Sequence, residues 1–400
     1  MRVYMDNHAT TRVDPRVVEA MLPCFTEEYG NPGSVGHEFG EHAREAVERS
    51  RGVIAQAIGA QPEEIVFTSG TTESNNLAIS GVATRRRRRG DHLVSVQTEH
   101  AAVLGPLRRL EKSGYQVTLL PVAQHGCETS GQVDPEELAA ELTDQTCLAS
   151  VMLANNEIGV VQPIARIAQA CHERGTLLHC DATQAVGRIP VDVGRLGVDL
   201  MSFTAHKVYG PKGIGALYVR SRSAADRPAA RLDAQIIGGG QQQGRRAGTL
   251  NTPGIVGMAK AVEIAVAGLA EEMARLAALR DELWRRLQAE AAPAELCGPS
   301  LHLQDDAGHA ARLPGNLNVW FPGLDGEALL MRLEGLAVSS GAACSSTDPS
   351  PSHVLQAIGL SEDQARSSLR FGLGRFNTAE DVRYAAAEVS RAAAELGGMG

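Results

Sequence analysis

The sequence contains no long apolar run. Nowhere do about 18 consecutive apolar residues occur, which is the length that a membrane-spanning helix requires. The first 15 residues, MRVYMDNHATTRVDP, also lack the apolar stretch of a secretory signal peptide. These absences argue against secretion and membrane insertion, and we expect a cytoplasmic protein.

An excess of basic charge is missing as well. The 400 residues carry 38 lysines and arginines against 47 aspartates and glutamates, which gives a net charge of −9. A chain of this kind has no general attraction for nucleic acid or for an anionic membrane surface. We therefore predict that neither nucleic acid nor a membrane is a partner.

Closely spaced cysteine pairs are also absent. The cysteines are odd in number, scattered and never spaced as CxxC, which argues against a disulfide framework and a zinc site. They are Cys24, Cys127, Cys147, Cys171, Cys180, Cys297 and Cys344. We predict no resident metal, and we interpret most of these cysteines as small core residues. Cys344 requires a different explanation.

Short apolar runs alternate with helical patterns from about residue 60 onward. The runs are EIVFTS, HLVSVQ, QVTLLPV, CLASVML, TLLHCD, DLMSFT and GALYV. Most of them are separated by segments long enough for a crossover helix, which predicts an α/β fold with a mostly parallel sheet between helices. Ligands of such sheets bind at the carboxyl ends of the strands.

The pattern changes after about Pro253. Long helices rich in Ala, Leu, Glu and Arg follow, and then strand-like runs such as NLNVWFPG and SLRFGLG. A chain of 400 residues is also too long for one small hydrophobic core. We predict a large domain over residues 14–258 and a smaller α+β C-terminal domain over residues 259–400, which residues 1–13 join.

Polar residues follow several of the predicted strands. The segment TSGTTESNN follows EIVF and opens a helix, so Gly70, Thr71 and Thr72 place backbone N–H groups and hydroxyls at a helix N-terminus. This arrangement suits a phosphate group. The same residue types also form ordinary helix N-caps, so the segment alone is weak evidence.

Two further strand ends supply a carboxylate and a lysine. Asp181 ends the run TLLHCD, Lys207 follows DLMSFT, and His100 follows HLVSVQ. Pyridoxal phosphate requires an acid that pairs with its ring nitrogen and an amine that forms an imine. A single lysine or aspartate at such a place is usually a surface or capping residue, but several strand ends in one register favour a site. We predict a pyridoxal phosphate enzyme with the cofactor as a Schiff base on Lys207 and His100 stacked on the ring.

An ordered series of motifs covers nearly the whole chain. It includes YMDNHATT, FTSGTTESNNLAI, NNEIGVVQPI, DATQAVG, SFTAHKVYGPKGIGALYV, SSGAACSS and SSLRFGLGRF. In these motifs the chain resembles the cysteine desulfurases of the NifS/IscS type, within the aminotransferase class V branch of the fold-type I enzymes. The resemblance implies a homodimer that uses pyridoxal 5'-phosphate to remove sulfur from L-cysteine and release L-alanine.

The resemblance also implies roles for single residues. The implied phosphate ligands are Thr71, Thr72, Thr204, His206 and, from the other subunit of the dimer, Thr249. The implied contacts to the cofactor ring are His100, Asn156, Asp181 and Gln184. Arg370 would bind the substrate carboxylate, with Asn156 nearby, because a planar guanidinium suits a bidentate contact. Arg375 is interpreted as structural.

Cys344 lies in the segment SSGAACSSTDPSPSHVL, whose small residues and prolines predict a surface loop. An exposed thiol near a cationic site is suited to nucleophilic attack. By the resemblance, Cys344 acts with Lys207 and His100 as the catalytic set. It would take the substrate sulfur as a persulfide, pass it to an iron–sulfur scaffold or another acceptor protein, and be able to ligate an iron–sulfur cluster transiently. The segment up to His353 resembles that of desulfurases whose cysteine swings out to a partner.

Two other interpretations stay open at this point. A selenocysteine lyase, or another class V lyase or transaminase, would keep Lys207 and Asp181, although a transaminase would not need Cys344. A non-catalytic sulfur carrier would have no reason to keep all of these residues. Gln241–Gln243 stand where the family commonly has a Glu-Arg pair, and AAELGGMG lacks the longer tail with which housekeeping desulfurases dock their scaffold. Both departures leave the sulfur acceptor undetermined.

Overall fold

The computed structural model describes residues 2–221, 228–291, 293–340 and 350–397. Its strands are β1 (Val3–Tyr4), β2 (Ile65–Thr68), β3 (His92–Val96), β4 (Gln116–Leu120), β5 (Thr146–Ser150), β6 (Leu177–Asp181), β7 (Leu200–Thr204), β8 (Gly215–Val219), β9 (Glu295–Cys297), β10 (Asn316–Trp320), β11 (Leu336–Ala337), β12 (Ser339–Ser340) and β13 (Ser368–Gly372). Its helices are α1 (Pro15–Met21), α2 (Pro23–Thr26), α3 (Glu38–Ala57), α4 (Thr71–Arg86), α5 (Ala101–Lys112), α6 (Pro135–Glu141), α7 (Ile164–Glu173), α8 (Val193–Leu196), α9 (Thr252–Ala267), α10 (Leu269–Glu290), α11 (Gly326–Arg332), α12 (His353–Ala357), α13 (Glu362–Arg366) and α14 (Ala379–Gly397).

A seven-stranded sheet with the order β2-β8-β7-β6-β5-β3-β4 forms the centre of the molecule. Within this sheet, β8 is antiparallel to both of its neighbours, and the pairs among β3 to β7 are parallel. Each of the seven apolar runs of the sequence supplies one strand. The prediction of a mostly parallel α/β sheet is therefore confirmed, and the carboxyl ends of β2, β3, β5, β6 and β7 lie along one edge.

Helices cover both faces of this sheet. Successive strand residues point to opposite faces, so Val94 of β3 belongs to one buried apolar cluster and its neighbour Leu93 to another. The cluster around Val94 includes Ile54 of α3 and Ile167 of α7, whereas the cluster around Leu93 includes Leu107 of α5. The two clusters form the apolar layers that hold the sheet rigid beneath its polar edge.

A second, four-stranded sheet is built from the C-terminal part of the chain. Its order is β12-β13-β10-β9, its pairs are antiparallel, and helices α10 and α14 contribute to its apolar core. Strand β1 pairs in parallel with β11, and Met5 is buried in the same core. The domain limits 14–258 and 259–400 stay predictions; residue 258 lies within α9.

Helices α9 and α10 form the long helical region that follows Pro253. They meet at Gly268 with a bend of 74°. Among the residues that the structure describes, no single helix is long and apolar enough to cross a membrane, and α9 and α10 meet the length and composition criteria only as a bent pair.

The glutamine run at 241–243 lies beside the edge strand β2 of the main sheet. The Gln242 amide nitrogen donates to the carbonyl of Phe67 at 2.8 Å, and its amide oxygen accepts the Phe67 N–H at 2.6 Å. A side-chain amide thus pairs with the backbone of the edge strand as another strand would. The departure from the family pattern at this position therefore has a structural role.

Candidate active site

A cavity of about 840 Å³ lies at the carboxyl edge of the main sheet. Because the strands β2, β3, β5, β6 and β7 end there, the polar residues that follow them come together. The predicted site residues that line the cavity are Thr71, Thr72, His100, Asn156, Asp181, Gln184, Thr204, His206, Lys207 and Arg370. Arg370 comes from β13 of the second sheet, so both sheets contribute to the cavity.

Two predicted site residues are not among those lining this cavity. Thr249 is exposed and lines a separate cavity of about 620 Å³ together with the glutamine run. Cys344 lies outside the described residues. Ser340 and Ser352, described residues on either side of that segment, both line the 840 Å³ cavity.

The first turn of α4 forms one wall of the cavity. Gly70 is its N-cap with φ of 148°, a conformation that favours glycine. Hydroxyls surround this turn, because Thr183 donates to the Thr71 Oγ1 at 2.7 Å and the Thr204 hydroxyl lies next to Gly70. First-turn N–H groups have no partners within their own helix. The wall therefore has the donors and the dipole of an anion site.

His206 lies beside this wall as a neutral donor. Its Nδ1 is 3.2 Å from the Thr10 hydroxyl. Burial, followed by the neighbouring Lys207, lowers the pKa of the His206 imidazole to about 4. The ring therefore adds no charge to the wall, and it can donate to an anion from Nε2 when Nδ1 accepts from the Thr10 hydroxyl.

Asp181 is the last residue of β6 and is buried. One of its carboxylate oxygens accepts from the Asn75 side-chain amide at 2.7 Å, and the other accepts from the Thr183 N–H at 3.0 Å. Two donors hold the carboxylate in a single orientation. Asp181 is thus a fixed negative charge at the cavity wall, suited to pair with a positively charged ring nitrogen.

Lys207 follows β7 in a short 3-10 helix, Ala205–Lys207. Its Nζ donates to the backbone carbonyls of His8 at 2.5 Å and Ala9 at 2.6 Å. Burial lowers the pKa of the Lys207 amine to about 7, with further lowering from Arg188 and Arg370. An amine near this pKa is substantially neutral at physiological pH, which is the form that attacks a carbonyl.

His100 caps helix α5 with its own ring. Its Nδ1 accepts the backbone N–H of Ala102 at 3.0 Å. A backbone N–H can only donate, so Nδ1 carries the lone pair and the ring hydrogen resides on Nε2. Burial also lowers the pKa of the His100 imidazole. In this position the ring is a neutral N–H donor, and it lacks a free lone pair with which to act as a base.

His353 also lines the cavity, and its ring has the opposite arrangement to that of His100. Its Nε2 donates to the backbone carbonyl of Glu99 at 2.8 Å, so the nitrogen at which this ring can carry a lone pair is Nδ1. Of these two histidines, His100 has its Nδ1 lone pair in a hydrogen bond, whereas Nδ1 of His353 has no partner in the described part of the chain.

The capping role of His100 leads to a prediction about stability. We expect His100→Ala to lower the free energy of unfolding by about 1 kcal/mol, because the α5 cap is lost. We expect His100→Asn to keep the stability of the wild type, because asparagine is a good N-cap, and to lose the ring contact to the cofactor. Urea denaturation of both variants tests this, and equal destabilisation by the two substitutions would contradict the capping role.

Arg370 reaches the cavity but already has partners. Its Nη2 donates to Asp6 Oδ1 at 2.8 Å and to the Ser339 hydroxyl at 2.9 Å. Its Nε is buried and has no hydrogen-bond partner within the described residues. A substrate carboxylate that binds at Nη2 therefore shares or replaces the contact with Asp6.

Gln184 and Asn156 also have partners in this structure. The Gln184 amide nitrogen donates to the His8 carbonyl at 2.9 Å. The backbone carbonyl of Asn156 accepts from Arg370 at 3.3 Å, and the Asn156 side chain lines the cavity. The Gln184 amide nitrogen carries a second N–H, which can donate to a cofactor ring oxygen while the contact with His8 is kept.

Several residues at or beside the cavity were not predicted. They are Asp6, His8, Asn75, Glu99, Arg188 and His353. Burial raises the pKa of the Glu99 carboxyl well above its usual range. The motif NHATT points to His8 by its polarity alone, whereas no sequence signal separates Arg188 from an ordinary surface arginine.

The six cysteines of the described residues are poor alternatives to Cys344 as the nucleophile. Cys24, Cys147, Cys171, Cys180 and Cys297 are buried, and Cys127 is exposed. Burial raises the pKa of Cys147 to about 11 and of Cys171 and Cys297 to about 12, so these thiols stay protonated. None of the six lines the cavity.

Known proteins are similar to this chain in sequence and in fold. The chain is 51% identical over 383 residues to the cysteine desulfurase IscS of Anaeromyxobacter dehalogenans (strain 2CP-C), covering 96% of this chain and 90% of the relative. It is 50% identical over 385 residues to the cysteine desulfurase IscS of Aeromonas hydrophila, with the same coverage of both chains. A solved NifS-like protein superposes with a TM-score of 0.88 at 37% identity, covering 99% of this chain and 100% of the other.

A family model also matches most of the chain. The description of that family is aminotransferase class-V, and the match covers residues 3–384. The resemblance drawn from the motifs is thereby confirmed, and the chain belongs to the aminotransferase class-V family.

Proposed function

We propose that this protein is a cysteine desulfurase that uses pyridoxal phosphate and passes the sulfur of L-cysteine to Cys344. The observation that carries the proposal is the meeting of Lys207, Asp181 and the first turn of α4 in one cavity, with Arg370 at its edge. The curated relatives at about half identity bear the name cysteine desulfurase, which supports the same activity.

The cavity fits pyridoxal phosphate by its donor set. The first turn of α4, with Thr71 and Thr72, suits a phosphate, and the oriented carboxylate of Asp181 suits a ring nitrogen. The neutral amine of Lys207 suits a covalent attachment. When bound, the cofactor supplies an electron sink that stabilises negative charge next to the substrate α-carbon.

Side chains of this protein bind the substrate and transfer its protons. Arg370 binds and orients the substrate carboxylate, for which its planar guanidinium is suited. Lys207, once free, accepts the proton of the substrate α-carbon. His100 stacks on the ring face and donates from Nε2, while Nδ1 of His353 can accept a proton.

Cys344 is the proposed nucleophile. Ser340 lines the cavity and precedes Cys344 by four residues, a tether that spans at most about 14 Å when extended. The thiolate attacks the sulfur of the substrate, so an S–S bond forms, the C–S bond breaks, and a proton replaces sulfur on the product alanine. The persulfide then passes to an acceptor protein, for which an iron–sulfur scaffold is our first candidate.

A homodimer would complete the phosphate site. Thr249 is exposed, lies outside the 840 Å³ cavity and lines a separate cleft. In our proposal the hydroxyl of Thr249 reaches the phosphate in the second subunit. This arrangement accounts for a predicted cofactor ligand that lies apart from the others in a single chain.

One assay tests the activity. The purified protein with pyridoxal phosphate, L-cysteine and a thiol reductant should release L-alanine and sulfide in equal amounts, both quantified in the same sample. L-Selenocysteine in place of L-cysteine separates the desulfurase from a selenocysteine lyase. Alanine from selenocysteine but not from cysteine would overturn the proposal.

Arg370→Lys should lower kcat/KM for L-cysteine by about 10- to 100-fold. The lysine keeps the positive charge but loses the two-pronged contact with a carboxylate, a charged hydrogen bond of about 1.5–3 kcal/mol. The lower kcat/KM should come mainly from a higher KM. Arg375→Lys is the control, because Arg375 pairs with Asp14 and does not line the cavity. An unchanged KM for Arg370→Lys would show that Arg370 does not bind the substrate.

A further inference from the structure

Arg188 is a half-buried arginine next to the backbone of Lys207. Its Nη2 and Nε donate to the Lys207 carbonyl at 2.9 and 3.2 Å. Its Nη2 also donates to the Asn7 carbonyl at 2.6 Å, and its Nη1 donates to Nδ1 of His8 at 2.5 Å. The guanidinium therefore connects the turn that carries Lys207 to the N-terminal segment.

The same N-terminal segment holds the Lys207 amine. The carbonyls of His8 and Ala9 accept from Nζ, and His8 is also a partner of Arg188. Backbone and side chain of Lys207 are thus fixed against one short piece of chain, with Arg188 as the common link. Loss of Arg188 would leave both the carbonyl of Asn7 and the ring of His8 without this donor.

The charge of Arg188 is not compensated by a carboxylate. All of its hydrogen-bond acceptors are neutral, and it forms no ion pair within residues 2–221, 228–291, 293–340 and 350–397. An arginine side chain stays protonated in proteins. A fixed positive charge next to a lysine disfavours the ammonium form of that lysine.

Arg188 does not line the 840 Å³ cavity, and instead lines a smaller cavity of about 300 Å³. It is therefore separated from a substrate bound in the larger cavity. Whatever Arg188 contributes to the reaction must act through Lys207 and the segment 7–9.

We propose that Arg188 is a positioning residue, which aligns the Lys207 amine against the carbonyls of His8 and Ala9 and places a permanent positive charge beside it. The inference deepens the proposed function, since it rests on Lys207 as the attachment point of the cofactor. The lowered pKa of the Lys207 amine, about 7, agrees with it. The other charged groups that act on Lys207 are Arg370, which lowers its pKa, and Asp6 and Asp181, which raise it.

The ionisation of Lys207 can be measured without any turnover. The full-length chain, prepared free of cofactor, is treated briefly with acetic anhydride at pH values from about 6 to about 10. This range covers a lowered lysine pKa of about 7 and approaches the ordinary lysine pKa of about 10.4. Peptide mass spectrometry then gives the labelling of Lys207, with Lys260 in the same digest as the internal reference. Only the neutral amine reacts, so the pH profile reports the pKa of Lys207.

We expect wild-type Lys207 to label already near neutral pH. Arg188→Gln should reduce labelling at pH 7 by about fivefold, because a pKa rise of about one unit lowers the neutral fraction of Lys207 from about one half to about one tenth. Arg188→Lys should restore the profile, because the charge returns. When pyridoxal phosphate is added, the Arg188→Lys variant should form the visible absorption band of the cofactor about tenfold more slowly than the wild type. The reason is that lysine cannot make the paired contact with the Lys207 carbonyl.

Arg195→Gln is the matched control, since Arg195 is an exposed arginine on α8 outside both cavities. It should leave both readouts as in the wild type. Identical profiles for Arg188→Gln and the wild type would overturn the proposal. If Arg188→Gln does not fold, the wild-type profile still decides, because Lys207 titrating in the ordinary lysine range near 10.4 would also refute it. If the wild-type protein forms no alanine from L-cysteine, the proposed function is refuted. The labelling profile of Lys207 still tests the role of Arg188, because it does not depend on turnover.

Discussion

We expect Lys207→Ala to lower alanine formation from L-cysteine by at least about 10⁴-fold, the scale seen when the covalent nucleophile of an enzyme is removed. Lys207 is the amine whose neutral form the site favours, and it is the attachment point and proton acceptor in the proposed reaction. The variant should also lose the visible absorption band of the covalently attached cofactor. Absorbance spectra and alanine quantification on the same preparation test both effects.

Lys260→Ala is the control for this experiment. Lys260 lies on α9, pairs with Glu263 at 2.7 Å and does not line the cavity. Its removal should leave the spectrum and the activity as in the wild type. A Lys207→Ala protein that keeps the band and the activity would end the assignment of Lys207.

The second large effect is expected at Cys344. We expect Cys344→Ala to lower sulfide release by at least about 10³-fold in the presence of a reductant, because the nucleophile that takes the sulfur is missing. In the proposed reaction, L-cysteine binds through Lys207 and Arg370 and without this thiol. Addition of L-cysteine to the variant should therefore still change the absorption spectrum of the cofactor, while alanine and sulfide stay at background.

Cys127→Ala is the matched control, because Cys127 is the exposed cysteine among those that the structure describes. Its loss should change neither the spectrum nor sulfide release. Alkylation with iodoacetamide adds an independent check, since labelling of Cys344 should inactivate the wild type and labelling of Cys127 alone should not. Normal sulfide release by Cys344→Ala would show that a group other than Cys344 takes the sulfur from the substrate.

The strand pattern and the motifs were readable from the sequence because both are local. Alternation of apolar runs with helical segments reports directly on a parallel sheet, and residues after a strand are carried to its carboxyl edge. For that reason Thr71, His100, Asp181 and Lys207, far apart in the chain, could be expected to lie together. The structure places all four around one cavity.

Other features depend on contacts that no local pattern encodes. Arg370 pairs with Asp6 across 364 positions of sequence, and Arg188 contacts the N-terminal segment across about 180. The lone pair of His100 is occupied because its ring turns back onto the N–H of Ala102. These arrangements follow from how side chains pack between elements, and the sequence did not anticipate them.

The sequence by itself determined the fold class, the family and the residue types of the site, since strand periodicity, helix caps and ordered motifs are properties of short segments. The tertiary structure decided how those residues are charged and oriented. It places the Lys207 amine against two carbonyls and near the cation of Arg188, engages Arg370 with Asp6, and leaves a free lone pair on His353 rather than on His100. Burial and hydrogen bonding in three dimensions set the protonation of each group, and neither can be obtained from residues taken one after another along the chain.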